Sequence, residues 1–148
     1  MIYPDTSFII SFYTPEQEFA LAREYMATVA PRLYYTPFHR LEVRTGLRAR
    51  VFRKSTTVSE LQIAFRQMEE DIANGILQHT PLVWADALRE AERLGEAHLT
   101  ETGVRSGDLL HIASAVVLGA KEFLTFDQRQ HALARRAGLK VKAWKSMK

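Results

Sequence analysis

Apolar and polar positions alternate between two rhythms along this chain, and the alternation predicts a mixed α/β fold. Short runs rich in β-formers occur at Met1–Asp5, Leu33–Thr36, Ile76–His79 and Phe123–Phe126, with a last one at Leu139–Trp144. Segments with helical spacing lie between them. Thr6–Tyr13 predicts a short helix. A longer one starts at Pro15, where a missing N–H does no harm, and ends at Pro31. Its apolar positions Phe19, Ala22, Tyr25, Met26 and Val29 recur at helical intervals. Pro37 opens a helix to about Phe52, with Gly46 as a weak point, and Ser55–Thr57 is a polar break. Val58–Asn74 carries Leu61, Phe65, Met68 and Ile72 on one face, with Gly75 as its stop. A helix from Pro81 or Leu82 to about Leu99 leads into a polar loop, Thr100–Gly107. Asp108–Leu118 is apolar almost all round, as in a helix buried on most faces. Asp127–Ala137 predicts the last helix, capped by Gly138.

The resulting order is β-α-α-β-α-α-β-α-α-β-α-β. Strands separated by helices need crossover connections, so the expected sheet is mostly parallel and covered on both faces. A chain of 148 residues fits one domain with a sizeable core. It has no cysteine, which excludes disulfides, thiolate zinc sites and iron–sulfur clusters, and fits a reducing compartment. No apolar run reaches the roughly 18 residues of a membrane span. The N-terminus lacks the basic flank and cleavage site of a signal peptide. A cytoplasmic protein with no membrane partner is expected.

Charge changes this picture. The formal net charge is +3 and the pI about 9.3. Yet Asp5, Glu42, Asp108 and Asp127 all fall where a strand ends or a helix begins. In an open α/β sheet such ends converge on one crevice, where ligands bind. Each acid also has a plainer role: Asp5 and Asp127 as helix caps, Asp108 as a first-turn acid facing the helix dipole, Glu42 as a solvated helix residue. Taken together they predict a hard-oxygen site for Mg²⁺ or Mn²⁺. Like charges about 4 Å apart repel by roughly 4 kcal/mol at an effective dielectric of 20. Divalent cations remove that cost, and two would balance four carboxylates.

Thr6 or Ser7, beside Asp5, and Thr125, two residues before Asp127 on the same strand face, are candidates to support the acids from behind. His39 and His111 lack partners at metal-binding spacing and read as structural. There is no phosphate-binding G-x-x-x-x-G-K-[ST] loop, no G-x-G-x-x-G and no G-x-S-x-G. Cations cluster between Arg40 and Lys54. At about 100° per residue, Arg53 returns to the Glu42 face and Arg50 lies nearby, while Arg40 and Arg44 point elsewhere. Arg50 and Arg53 are therefore candidates for gripping phosphates near the pocket, and Arg105, just before Asp108, is another.

The segments PDTSFI, HRLEV, SGDLLHIASA and FLTFDQRQ, in this order, resemble those of the PIN-domain ribonucleases, specifically the VapC-type toxins of toxin–antitoxin pairs. The resemblance covers nearly the whole chain and implies a PIN-like three-layer α/β/α sandwich spanning residues 1–148. It implies Mg²⁺- or Mn²⁺-dependent RNA cleavage, with Asp5, Glu42, Asp108 and Asp127 as catalytic metal ligands and Thr6 or Ser7 and Thr125 in support. It also implies a homodimer and a small antitoxin inserted into the active-site groove. Pro4 departs from the pattern, and a proline there predicts a first strand that is short or bulged before Asp5. Two rival readings are a PIN-type nuclease that processes RNA or cuts DNA without an antitoxin, and a Mg²⁺-dependent domain phosphorylated on Asp5. The latter needs a strand-end lysine, for which Lys121, Lys140 and Lys142 are poorly placed.

Overall fold

The computed structural model describes residues 1–145. Its elements run β1 (Ile2–Pro4), α1 (Thr6–Tyr13), α2 (Phe19–Val29), β2 (Leu33–Tyr35), α3 (Pro37–Phe52), α4 (Val58–Ala73), β3 (Leu77–His79), α5 (Trp84–Thr102), α6 (Ser106–Val117), β4 (Glu122–Leu124) and α7 (Gln128–Arg136). The described residues thus give the expected α/β fold, with seven helices and a four-stranded sheet. The chain divides into two compact units, Met1–Asp5 with Pro81–Lys148, and Thr6–Thr80.

In the first unit β1 and β4 pair in parallel, with Tyr3 opposite Phe123 and Pro4 opposite Leu124. The strand is short, as Pro4 predicts, but the pairing is regular up to Asp5, whose N–H donates to the Leu124 carbonyl at 2.8 Å. Proline costs no bond on this side because the neighbouring residue supplies the donor. Tyr3 stacks on Phe123 at 5.9 Å. The apolar α6 buries Leu109, Ile112, Ala113 and Ala115, as its composition requires. Gly95 brings α5 close to it: a β-carbon there would lie 3.4 Å from Leu109.

Several boundaries differ from expectation in this unit: α5 starts at Trp84 and α6 at Ser106, and β4 is Glu122–Leu124. α5 runs on to Thr102 and ends in a left-handed Gly103, so the polar loop is shorter than Thr100–Gly107. The helix is set by the first residue able to turn left-handed, not by the end of its apolar stripe. The expected last strand, Leu139–Trp144, is reduced to one parallel bridge between Val141 and Phe123. The chain is held there by other means: Phe123 N–H donates to Lys140 O, and Trp144 Nε1 donates to Thr125 O at 2.8 Å.

In the second unit β2 and β3 pair in parallel from Leu33–Leu77 to Tyr35–His79. The helix expected from Pro15 begins only at Phe19, because residues 15–18 form turns closed by Glu16 N–H to Thr14 O and Phe19 N–H to Glu16 O. α3 starts in a capping box in which Thr36 caps His39 N–H and the His39 ring accepts from Thr36 N–H. Pro37 occupies its first turn. Gly46, the weak point of this helix by propensity, is there for packing: a β-carbon would stand 3.1 Å from Ile10 of α1. A second capping box, Thr57 with Glu60, opens α4. A cavity of about 420 Å³ is lined by α1, α2 and α4 residues, among them Phe12, Tyr13, Arg23, Met26 and Asp71. The Tyr13 hydroxyl donates to Asp71 at 2.5 Å beside it. Burial, reinforced by that carboxylate, pushes the Tyr13 hydroxyl far above the ordinary tyrosine range.

Candidate active site

Asp5 leaves β1 almost wholly buried, at 1% exposure. A carboxylate this far from water needs partners or a cation. Thr125, just past β4, donates its hydroxyl to Asp5 Oδ2 at 2.7 Å. The Thr125 hydroxyl oxygen itself accepts the Asp127 N–H at 3.0 Å. Asp127 in turn caps α7 by accepting from Gln130 N–H at 2.8 Å. Asp127 thus takes the plainer role expected of it, and Thr125 bonds the Asp5 carboxylate. The acid caps its helix, and the threonine reaches the Asp5 side of the strand. One hydroxyl thus fixes the Asp5 carboxylate to the turn that carries Asp127, whose side chain is exposed.

Asp108 lies in the first turn of α6, half-buried. The position of that helix on β1 is set by a contact that the sequence did not disclose. Tyr3 OH and His111 Nδ1 meet at 2.9 Å, both buried. Asp5 follows Tyr3 by two residues and Asp108 precedes His111 by three. The histidine is structural, as its spacing implied, but it sits one helical turn from a candidate ligand. The signal was available: a buried Tyr and a buried His in apolar segments each need a partner.

In the second unit Thr6 donates its hydroxyl to Glu42 Oε1 at 2.7 Å, and Glu42 is half-buried on the second turn of α3. Ser7 is exposed. The α3 cations fare unequally. Arg50 forms an ion pair with Glu16 and also donates to Gly46 O at 3.2 Å, so its guanidinium is committed within the protein. Arg40 and Arg44 both pair with Glu69, consistent with their pointing away from Glu42. Arg53 is exposed beyond the last turn, and Arg105 is exposed at the cap of α6.

The donor chemistry fits Mg²⁺ or Mn²⁺: carboxylate and hydroxyl oxygens, no sulfur, with His39 and His111 bonded elsewhere. Among the described residues no group of three or more His, Asp or Glu side chains gathers into an ion cage. What the structure brings together is Asp5, Thr125 and Asp127 in one unit, and Thr6 with Glu42 in the other.

A family model described as the PIN domain matches residues 2–136. The chain belongs to the PIN-domain family. Solved structures share its fold at low identity. The Mycobacterium tuberculosis VapC20, titled a sarcin-ricin loop cleaving toxin, has a TM-score of 0.65 at 16% identity, over 89% of this chain and 94% of that one. Rickettsia felis VapBC2, bound to a DNA fragment from its promoter, has a TM-score of 0.62 at 18% identity, over 98% and 100%. FitAcB from Neisseria gonorrhoeae has a TM-score of 0.65 at 16% identity, over 97% of both chains. No curated protein matches the chain. The PIN domain spans both compact units, and its matched stretch contains all four acids.

Proposed function

We propose that this PIN domain is a metal-dependent endoribonuclease and the toxin of a toxin–antitoxin pair. The observation that carries the reading is the Asp5–Thr125–Asp127 connection, a buried carboxylate fixed by a hydroxyl at the end of two parallel strands. A buried acid held rigidly on regular elements is an arrangement that a cation can complete.

In this reading Asp5, Glu42, Asp108 and Asp127 hold Mg²⁺ or Mn²⁺. Bound there, the ion would supply acidification of water and compensation of charge at the phosphate. The chain's own residues do the rest. Thr125 holds the Asp5 carboxylate in one rotamer, and Thr6 does the same for Glu42. Ser7, next to Thr6 in the chain, is a further hydroxyl for this role. Water attacks phosphorus in line, the bond to the 3′-oxygen breaks, and the products carry 5′-phosphate and 3′-hydroxyl ends. Nothing in that step uses a ribose 2′-hydroxyl, so preference for RNA arises in binding. Arg53 and Arg105 are free to hold phosphates, whereas Arg50 must first release Glu16.

The solved structures of similar fold include a sarcin-ricin loop cleaving toxin and a VapBC pair on promoter DNA. In our reading the protein is a homodimeric cytoplasmic toxin, inhibited by a small antitoxin seated in the active-site groove. The same fold would also serve a nuclease that processes RNA or cuts DNA without an antitoxin. An adjacent reading frame for a small DNA-binding protein favours the toxin. The test is cleavage of single-stranded and structured RNA with Mg²⁺, Mn²⁺ or EDTA. Activity is expected with either metal and none in EDTA. Cleavage that survives EDTA, or is undiminished in a folded Asp5→Asn or Asp108→Asn variant, would overturn the assignment.

A further inference from the structure

The tip between α3 and α4 carries chemistry that the acids do not use. Six cations lie between Arg40 and Lys54. Four are engaged: Arg40 and Arg44 with Glu69, Arg48 over the Phe65 ring at 5.2 Å, and Arg50 with Glu16. Arg53 and Lys54 pair with no acid among the described residues. Immediately before them Phe52 is 88% exposed, the most exposed of the large apolar residues.

This tip is ordered by its own hydrogen bonds. Arg53 N–H donates to Ala49 O, Lys54 N–H to Val51 O, and Ser55 N–H to Arg50 O at 2.9 Å. The Thr57–Glu60 capping box holds the far side. Lys54 sits at φ 60°, a left-handed conformation that costs a non-glycine residue of order 1 kcal/mol. An aromatic ring is thus presented to solvent on a folded turn, with two unpaired cations next to it.

From this geometry we infer that the α3–α4 tip is an RNA contact in which Phe52 stacks on an unpaired base while Arg53 and Lys54 hold the adjoining phosphates. The inference rests on the nuclease reading and narrows its substrate to RNA with an accessible base at this point. A ring between cations suits a nucleotide because every base has a π-face and every linkage a negative charge. An apolar protein partner would leave both cations without a counter-charge. Arg53 lies eleven residues after Glu42, on the same face and three turns along the helix axis, about 16 Å at 1.5 Å per residue. The tip and Glu42 can therefore follow one strand of RNA.

The experiment is equilibrium binding of the full chain, in EDTA, to a labelled mixed-sequence single-stranded RNA and to the same sequence as a duplex. Cleavage in Mg²⁺ is assayed in parallel. Phe52→Ala should weaken single-strand binding about 10-fold and leave duplex binding within about 2-fold, since a paired base offers no face to stack on. Phe52→Trp should retain affinity. A combined Arg53→Gln and Lys54→Gln variant should reduce the salt slope of single-strand binding by about 1.4, the share of two phosphate contacts. Unchanged single-strand affinity in Phe52→Ala, with wild-type cleavage intact, overturns the inference and leaves the nuclease reading standing. Equal losses on both RNAs, or a changed oligomeric state in Phe52→Ala, overturn it in favour of a fold or protein-contact role. A wild-type chain that neither binds nor cuts RNA overturns both.

Discussion

The ends of β1 and β4 and the tip between α3 and α4 treat charge in opposite ways. At the strand ends an acid is taken out of water and tied to a hydroxyl, which is itself tied to the next acid's backbone. At the tip two cations remain in water with no acid against them, beside an exposed ring. Burying a carboxylate without a cation is costly, whereas leaving a lysine or arginine solvated costs little. In the proposed function the first region concentrates negative charge on a small cation. The second presents diffuse positive charge to a long polyanion. Rigidity follows the same division: Asp5 is fixed by strand register and Thr125, the tip only by a turn and a helix cap.

The sharpest way to break this comparison is to remove the buried charge. Asp5→Asn should lower RNA cleavage by at least about 100-fold, measured as initial rate in Mg²⁺. Mg²⁺ should raise the melting temperature of the wild type and not of this variant. A variant that gains as much from Mg²⁺ would show that the cation sits elsewhere. Thr125→Val comes next. It keeps the shape but removes the hydroxyl shared by Asp5 and Asp127, and should weaken Mn²⁺ binding or activity about 10- to 100-fold. Calorimetric titration with Mn²⁺ reads this independently of catalysis, and an unchanged affinity would reduce Thr125 to a packing role.

Smaller effects test the ordering of the second unit. Thr57→Ala removes the α4 cap and should cost about 1 kcal/mol, a drop in melting temperature of about 2–4 °C. Single-strand RNA binding should weaken along with it if the tip works only when ordered. The Tyr13–Asp71 pair is a part-buried polar contact outside both regions and gives the smallest effect. Native Tyr13 keeps its proton well above the pH at which an unfolded tyrosine, with a pKa of about 10, loses it. The unfolded chain therefore binds fewer protons at alkaline pH, and stability falls as pH rises past that point. Tyr13→Phe should make the decline shallower in denaturant titrations from neutral to alkaline pH. Identical slopes would mean that the hydroxyl ionises freely in the native protein.

Much of this was legible from local chemistry. Helical spacing placed all seven helices. Proline marked the start of α3, though not its Thr36 cap, which read as strand, and glycine marked the end of α4. The four acids stood out because each lies at the junction of two local patterns. The final strand was not legible, because β-formers alone do not supply a partner in register, and only Val141 finds one. Arg50 was placed near the Glu42 face by helical phase, but its commitment to Glu16 depends on a turn 34 residues away. Tyr3 and His111, each in an apolar segment, both need a partner, but the 108 residues between them hide that they partner each other.

By itself, then, the chain's order of residues determined its elements, their caps and which residue types stand at their ends, since propensity and capping act over one or two turns. Only the tertiary structure decided which atoms meet: the Thr125 hydroxyl between Asp5 and Asp127, the Tyr3–His111 bond that seats α6 on β1, and the arginines that are already occupied. Those contacts depend on register and packing between elements far apart in sequence. No local preference encodes that distance.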